Sequence, residues 1–287
     1  MTENNNKTAF ITGASRGIGA EAAVALAQRG YRVAITARTR REGERYDYAG
    51  QSASLPGSLE RTAKAIASVG QQALCLQADI LDQDSVAAAA AAALEEFGHI
   101  DLLFNNAVYQ GPGNQSSVLE VEQQELASIY QGNVFTPLAL VKAFLPGMVE
   151  QGAATIINMV SYTAFNDPPM PAAEGGWGFA YPSSKAALAR MAGALRSEHR
   201  QSGLRVFNLE PGTVITEMMK VAGIDKLIGE HFRTCSPAAI AAVVAWLARN
   251  DPDEDWYEQG VLRGPLMAKR LQLLDQPTLL QQESLHE

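Results

Sequence analysis

The sequence predicts a single doubly wound α/β domain, in which a mainly parallel sheet carries helices on both faces. Three observations predict it. Short apolar runs alternate along the chain with longer segments of helical period. The apolar runs are continuous rather than alternating, as strands buried on both faces require. Finally, 287 residues that are 47% hydrophobic and 19% charged can bury a sizeable core.

Lys7 to Thr12, Tyr31 to Ala37, Gln72 to Ala78, Asp101 to Asn105, Ala154 to Val160 and Leu204 to Leu209 read as strands. Ile18 to Gln28, Ser58 to Val69, Ser85 to Phe97, Gln124 to Val149 and Tyr181 to Arg200 read as the helices between them, completing successive βαβ units. The run Ala87 to Ala93 is helix rather than low-complexity sequence, because Asp84 and Ser85 precede it as candidate caps and Gly98 follows it as a stop. Two stretches interrupt the alternation and read as loops. Arg38 to Pro56 is polar and charged, and Asn166 to Phe179 carries three prolines and three glycines.

Twenty-three basic against 31 acidic side chains give a formal net charge of -8, so the long-range field repels nucleic acid and anionic membranes. Neither is an expected partner. Met1 to Lys7 is polar without an apolar signal core, and no run of about eighteen apolar residues occurs, so a cytoplasmic protein is expected. Cys75 and Cys235 lie far apart outside any ligand spacing, which fits buried thiols in a reducing compartment. His99, His199, His231 and His286 are scattered, and no metal site is expected.

After the first strand comes Thr12-Gly13-Ala14-Ser15-Arg16-Gly17-Ile18-Gly19. Glycines stand where a strand turns sharply into a helix, so a pyrophosphate can approach the backbone at the helix N-terminus. Gly13, Ser15, Arg16, Gly17, Ile18 and Gly19 are therefore candidate cofactor-binding residues in a Rossmann-type domain. A dinucleotide site that prefers NAD(H) offers a carboxylate after the second strand; this chain offers Arg38, Arg40 and Arg41, with Arg16 in the turn. Forked guanidinium donors suit a 2′-phosphate, so NADP(H) is favoured over NAD(H), and Arg38 is a candidate contact.

Tyr181 and Lys185 are four apart at the start of a helix and project from one face. A carbonyl that accepts hydride needs a proton donor within hydrogen-bond reach, and the reverse reaction needs a base there. Bringing a tyrosine from a pKa of about 10 to about 7 takes about 4 kcal/mol. One ammonium at about 4 Å in an effective dielectric of about 20 supplies on the order of that amount. Ser161, leaving the fifth strand, is the right residue type to hydrogen-bond the substrate oxygen.

The Gly-x-x-x-Gly-x-Gly turn together with Tyr181-Pro182-Ser183-Ser184-Lys185 resembles the short-chain dehydrogenase/reductase family, over about Thr8 to Leu247. The resemblance implies a catalytic Ser161, Tyr181 and Lys185, with Asn133 holding a water that links the lysine to solvent. An asparagine beside Gly132 and four residues before Pro137 also reads as a local helix distortion. By the same resemblance Asp79 contacts adenine, and Asn106 and Ala107 of Asn105-Asn106-Ala107 line the cofactor, although Val108 replaces the family's glycine. Pro211, Gly212 and Thr216 of Pro211-Gly212-Thr213-Val214-Ile215-Thr216 are placed at the nicotinamide amide and phosphates. Leu55-Pro56-Gly57-Ser58-Leu59, in the longer loop after the second strand, points to the hydroxysteroid-dehydrogenase-like branch. Family members commonly form dimers and tetramers, so a homodimer or homotetramer is implied.

Residues 1–287 thus read as one domain: a dinucleotide half over about 7–160, a catalytic and substrate-binding part over about 161–265, and a tail, 266–287, without assignment. The twenty positions from Ser161 to Tyr181 exceed the family spacing, implying an inserted segment. Its Tyr162, Phe165, Met170, Trp177 and Phe179 either line a hydrophobic substrate pocket or anchor a surface loop. Met218, Met219, Val221, Ile224, Leu227 and Ile228 either close a lid over an apolar ligand or belong to the core. The leading expectation is hydride transfer to or from a small hydrophobic ketone or secondary alcohol. An acyl-thioester ketoreductase and a nucleotide-sensing protein are the alternatives.

Overall fold

The computed structural model describes residues 7–48, 51–109, 111–221 and 234–274. In chain order its elements are β1 (Thr8–Thr12), α1 (Gly17–Gln28), β2 (Arg32–Ala37), β3 (Tyr46–Tyr48), β4 (Gln51–Ala53), α2 (Leu59–Ser68), β5 (Ala73–Gln77), α3 (Gln83–Phe97) and β6 (Leu102–Asn105). They continue with α4 (Gln123–Tyr130), a π-helical turn (Gln131–Phe135), α5 (Thr136–Gln151), β7 (Thr155–Met159), α6 (Ala180–Glu198), β8 (Arg205–Glu210) and α7 (Glu217–Val221). The last are α8 (Pro237–Leu247), β9 (Tyr257–Glu258), β10 (Val261–Arg263) and α9 (Gly264–Arg270).

One eight-stranded sheet runs β5-β2-β1-β6-β7-β8-β10-β9. Every pairing in it is parallel except β9 with β10. The six expected strands are all present; β1, β2, β6, β7 and β8 are largely buried on both faces, which is why their sequences show no alternation, whereas β5 at the sheet edge is half-buried. Helices cover both sides. Ala22, Ala23 and Leu26 of α1, Leu59 and Ile66 of α2 and Ile240, Val243, Val244 and Leu247 of α8 pack one face. Val86, Ala89 and Ala93 of α3, Leu140, Val141 and Phe144 of α5 and Ala192 and Leu195 of α6 pack the other. The strand order reverses between β1 and β6, and a ligand crevice is expected outside the carboxyl ends of the strands at that point.

Four features differ from the sequence reading. The segment expected as a plain loop after β2 contains the antiparallel hairpin β3–β4. Asp82, rather than Asp84 or Ser85, caps α3, its side chain accepting from the Asp84 and Ser85 amides at 3.0 and 3.2 Å. The helix expected over Gln124 to Val149 is interrupted by the π-helical turn, because Pro137 has no N–H to donate to the Asn133 carbonyl. The apolar length of this Gln123–Gln151 rod, sufficient by composition for a membrane span, includes the core-packing residues Ile129, Leu140, Val141, Phe144 and Met148.

The fourth concerns the C-terminal region: β10, just before the unassigned tail, pairs with β8, and α9, which runs into the tail, buries Met267 and Ala268. The last residues of the expected lid, including Ile224, Leu227 and Ile228, lie outside the described residues, as do 275–287.

Candidate active site

A cavity of about 970 Å³ opens at the carboxyl ends of β1, β2, β6, β7 and β8. At one end lie the glycine turn, Arg38 and Thr39; at the other lie Ser161, Tyr181, Lys185 and Pro211 to Glu217. The turn is built for close approach. Gly13 and Gly17 have φ of +68° and +56°, where L side chains are strained, and a Cβ on Gly17 would meet nothing nearer than Glu217 Oε2 at 3.8 Å. Gly19 does not line the cavity; a Cβ there would lie 2.3 Å from the Gly13 carbonyl oxygen, so its role is to let α1 pack against its own entry turn. The α1 N-terminus has no side-chain cap, leaving its first amides available to an anion.

Asn106 and Ala107 fasten this turn to the end of β6. Their amides both donate to Thr12 Oγ1 at 3.0 Å, and Asn106 Nδ2 donates to the Thr12 carbonyl at 2.9 Å. Arg16 lines the cavity, but its Nε donates to the Pro56 carbonyl at 2.8 Å and one amino group to Gly57 O and Thr39 Oγ1 at 2.9 and 3.1 Å. It staples the loop before α2 onto the turn. Arg38, partly exposed, stacks 4.8 Å from the Tyr46 ring centroid, with Asp79 3.8 Å away. Asp79 itself does not line the cavity; besides Arg38, its carboxylate accepts from the Leu81 amide at 2.9 Å. Thr39, 2% exposed, is a cavity residue that sequence reading missed.

At the other end, Ser161 leaves β7 and caps the short turn Tyr162–Ala164, its Oγ 3.0 Å from Thr163 Oγ1. Tyr181 and Lys185 lie one turn apart in α6 and face the same cavity. Lys185 is 2% exposed and donates to the Met159 carbonyl at 2.8 Å, its Nζ 5.9 Å from the Tyr181 ring centroid. Burial pushes the Lys185 ammonium down to about 8. Burial likewise holds the Tyr181 phenol above its ordinary range, with the Ser161 side chain opposing this and the Glu210 carboxylate adding to it. The pull of Lys185 expected from sequence does not outweigh desolvation here, because each group loses water on becoming buried.

Asn133 lies beneath this site without lining the cavity. Its Oδ1 accepts from the Tyr109 amide at 2.9 Å, and its Nδ2 donates to Ser184 Oγ at 3.0 Å. Ser184 Oγ in turn donates to the Tyr181 carbonyl at 2.7 Å. Asn133 therefore ties the first turn of α6 to the segment after β6, and the helix distortion at this position is present as well.

The aromatic insertion behaves as a surface anchor. Tyr162, Met170 and Phe179 are exposed, Tyr162 meets Trp177 edge to face at 6.2 Å, and none of the five apolar side chains lines the main cavity. The wall comes instead from Gly111 to Ser116, on which the insertion packs so closely that a Cβ on Gly178 would lie 1.9 Å from the Ser116 carbonyl oxygen. Val214, Ile215 and Met219 add apolar surface opposite. Pro211, Gly212 and Thr216 line the cavity as expected, and so does Glu210, which the sequence reading passed over although a charged residue ending an apolar strand is a usable signal.

The residues present fit a dinucleotide. A glycine turn lies at an uncapped helix start, Arg38 lines the cavity beyond β2, and the cavity continues to Tyr181. Comparison with known proteins agrees. The family model described as short chain dehydrogenase matches residues 7–226. An uncharacterized oxidoreductase of Methylorubrum extorquens is 31% identical over 259 residues, covering 88% of this chain and 94% of the relative. The 1-deoxy-11-beta-hydroxypentalenate dehydrogenase of Streptomyces exfoliatus is 30% identical, covering 84% and 79%. Among solved structures, a metagenomic short-chain oxidoreductase in complex with NADP superposes with a TM-score of 0.65 at 29% identity, covering 90% of this chain and 97% of that one.

Proposed function

Because the chain belongs to the short-chain dehydrogenase family of oxidoreductases, we propose that it transfers hydride between NADP(H) and a hydrophobic ketone or secondary alcohol. The observation that carries this reading is a single cavity lined by the glycine turn and Arg38 at one end and by Ser161, Tyr181 and Lys185 at the other. The nicotinamide supplies or accepts the hydride when bound. Ser161 Oγ hydrogen-bonds the substrate oxygen and orients it toward the phenol. Tyr181 Oη gives a proton to that oxygen during reduction and takes it back during oxidation. Lys185, fixed by the Met159 carbonyl, holds positive charge near the phenolate when protonated.

Arg38 and the short polar side chains beside it support NADP(H) over NAD(H), since among the described residues no carboxylate of the β2 end lines the cavity there. The relative solved with NADP supports the same choice. Apolar walls from Val214, Ile215 and Met219 support a hydrophobic substrate, and the loop Leu55 to Leu59 supports the hydroxysteroid-dehydrogenase-like branch. The reading further takes the chain as one catalytic domain, assembled as a homodimer or homotetramer in the cytoplasm, supported by the family's habit and by two unpaired cysteines.

The test is oxidation of NADPH against NADH with a panel of hydrophobic ketones and aldehydes, wild type beside Tyr181→Phe. We expect NADPH-preferring turnover that falls at least about a thousandfold in the variant. Undiminished activity in Tyr181→Phe overturns the acid/base assignment. Tight NADPH binding without turnover of any carbonyl would instead identify a nucleotide-sensing protein.

A further inference from the structure

Opposite the arginine end of the cavity, β8 leaves the sheet with a carboxylate. Glu210 is 4% exposed and lines both the main cavity and a small adjoining pocket that it shares with Tyr162, Phe165, Glu258 and Arg263. Its Oε1 accepts from the Gly212 amide at 2.7 Å, pinning a turn in which Gly212 has φ +67°. Its Oε2 stands 3.0 Å from Arg263 Nε. Arg263 is the last residue of β10 and pairs directly with Glu210 across the parallel β8–β10 register. Its guanidinium is fixed further by Glu258 at 3.0 Å and by the Tyr162 ring at 5.3 Å.

A buried carboxylate beside an acid/base tyrosine opposes formation of the phenolate unless a cation answers it. Five groups bear on Glu210: the Gly212 amide of its own turn, Arg263 of β10, Glu258 of β9, Cys235 of the segment before α8, and Tyr181 of α6. Among the described residues, Arg263 is the cation of this set. Three of the five come from beyond Thr234, in chain that lies after the matched family region.

We propose that Arg263 is a positioning residue for the reaction: through Glu210 it holds the Pro211–Gly212 turn and reduces the negative field that Glu210 directs at Tyr181 across the cavity both line. The C-terminal strands thus reach the chemistry without touching the reacting atoms. This inference rests on the reading of Tyr181 as the acid/base.

The test is a direct titration of Tyr181 in the cofactor-free protein. Tyrosinate absorbance is read immediately after a pH jump, before alkaline unfolding, for each protein against the same protein carrying Tyr181→Phe. The set is wild type, Arg263→Gln, Arg263→Lys, Glu210→Gln and the double variant Glu210→Gln/Arg263→Gln. In Arg263→Gln the Tyr181 midpoint should rise by about half to one pH unit, since Glu210 is then ionised and unanswered. Arg263→Lys should restore the wild-type midpoint, and the double variant should lie at or below it, because the opposing charge has gone. A purely structural arginine would shift the Gln variant and the double variant alike, and that result, or an unmoved midpoint, overturns the proposal. Should Arg263→Gln fail to fold, Arg263→Met, which keeps the aliphatic stem, takes its place: the Tyr181 midpoint should rise as for the Gln variant, and an unmoved one is equally fatal. Turnover surviving in Tyr181→Phe would sink the acid/base reading while leaving these titrations interpretable, so the two failures are separable.

Discussion

The two ends of the cavity are built on different principles. At the cofactor end, residues 12–19 and 105–107 make a cradle from backbone, held by contacts of the chain with Thr12 and by glycines that permit close approach. At the catalytic end, side chains from β7, α6, β8 and β10 converge, and their states are set by burial and by one ion pair between distant segments. Backbone cradles tolerate no added volume, because their amides must reach the ligand. Side-chain sites are sensitive instead to charge, because low local dielectric magnifies each unpaired group.

Substitutions can break this contrast at either end. The largest expected effect short of removing Tyr181 is Gly19→Ala, which places a methyl 2.3 Å from the Gly13 oxygen and 2.6 Å from Asn106 Nδ2. Overpacking against backbone should cost about 3 kcal/mol of stability and abolish NADPH binding, measured by denaturant unfolding and by quenching of protein fluorescence. Retained binding would show that the turn is softer than a backbone cradle. Arg38→Ala should lower the preference for NADPH over NADH about tenfold to a hundredfold, the worth of one charge-assisted contact, read from the ratio of the two kcat/KM values.

At the catalytic end Lys185→Met sharpens the comparison through pH. The folded-state Lys185 sits at about 8, below its ordinary 10.5. Between those values the unfolded chain binds the extra proton, so stability rises with pH across this window, and at pH 7 the buried ammonium is a net burden. Lys185→Met should remove that pH slope and stabilise the protein at pH 7 by about 1 kcal/mol after loss of the Met159 hydrogen bond, while abolishing turnover. Thermal melts from pH 7 to 10.5 measure both; an unchanged slope would mean that Lys185 stays charged in the fold.

The glycine-turn end of the cavity was legible in sequence because its determinants are local. A strand must turn into a helix within a few residues, and Gly13, Gly17 and Gly19 announce that geometry without reference to the rest of the chain. Tyr181 and Lys185 were legible for the same reason, since four residues on a helix place both on one face. Asp79 and Arg16 were less so: their residue types match a cofactor role, but tertiary neighbours, Arg38 and the Leu55 to Gly57 carbonyls, engage their side chains. The aromatic insertion stayed open between pocket wall and surface anchor because hydrophobicity alone does not say which surface a loop covers. Helix α8 escaped detection because Pro-Ala-Ala-Ile-Ala-Ala-Val-Val-Ala-Trp-Leu is apolar all round and shows no periodic face.

By itself, then, the sequence determined the parallel α/β alternation, the glycine turn and the residue types able to move a proton, because each follows from backbone geometry or from spacing within one element. Only the tertiary structure decided that β10 would lie beside β8 and bring Arg263 to Glu210, and that Lys185 would be buried against Met159. Such pairings join residues tens of positions apart, and their energies depend on burial that no local pattern encodes.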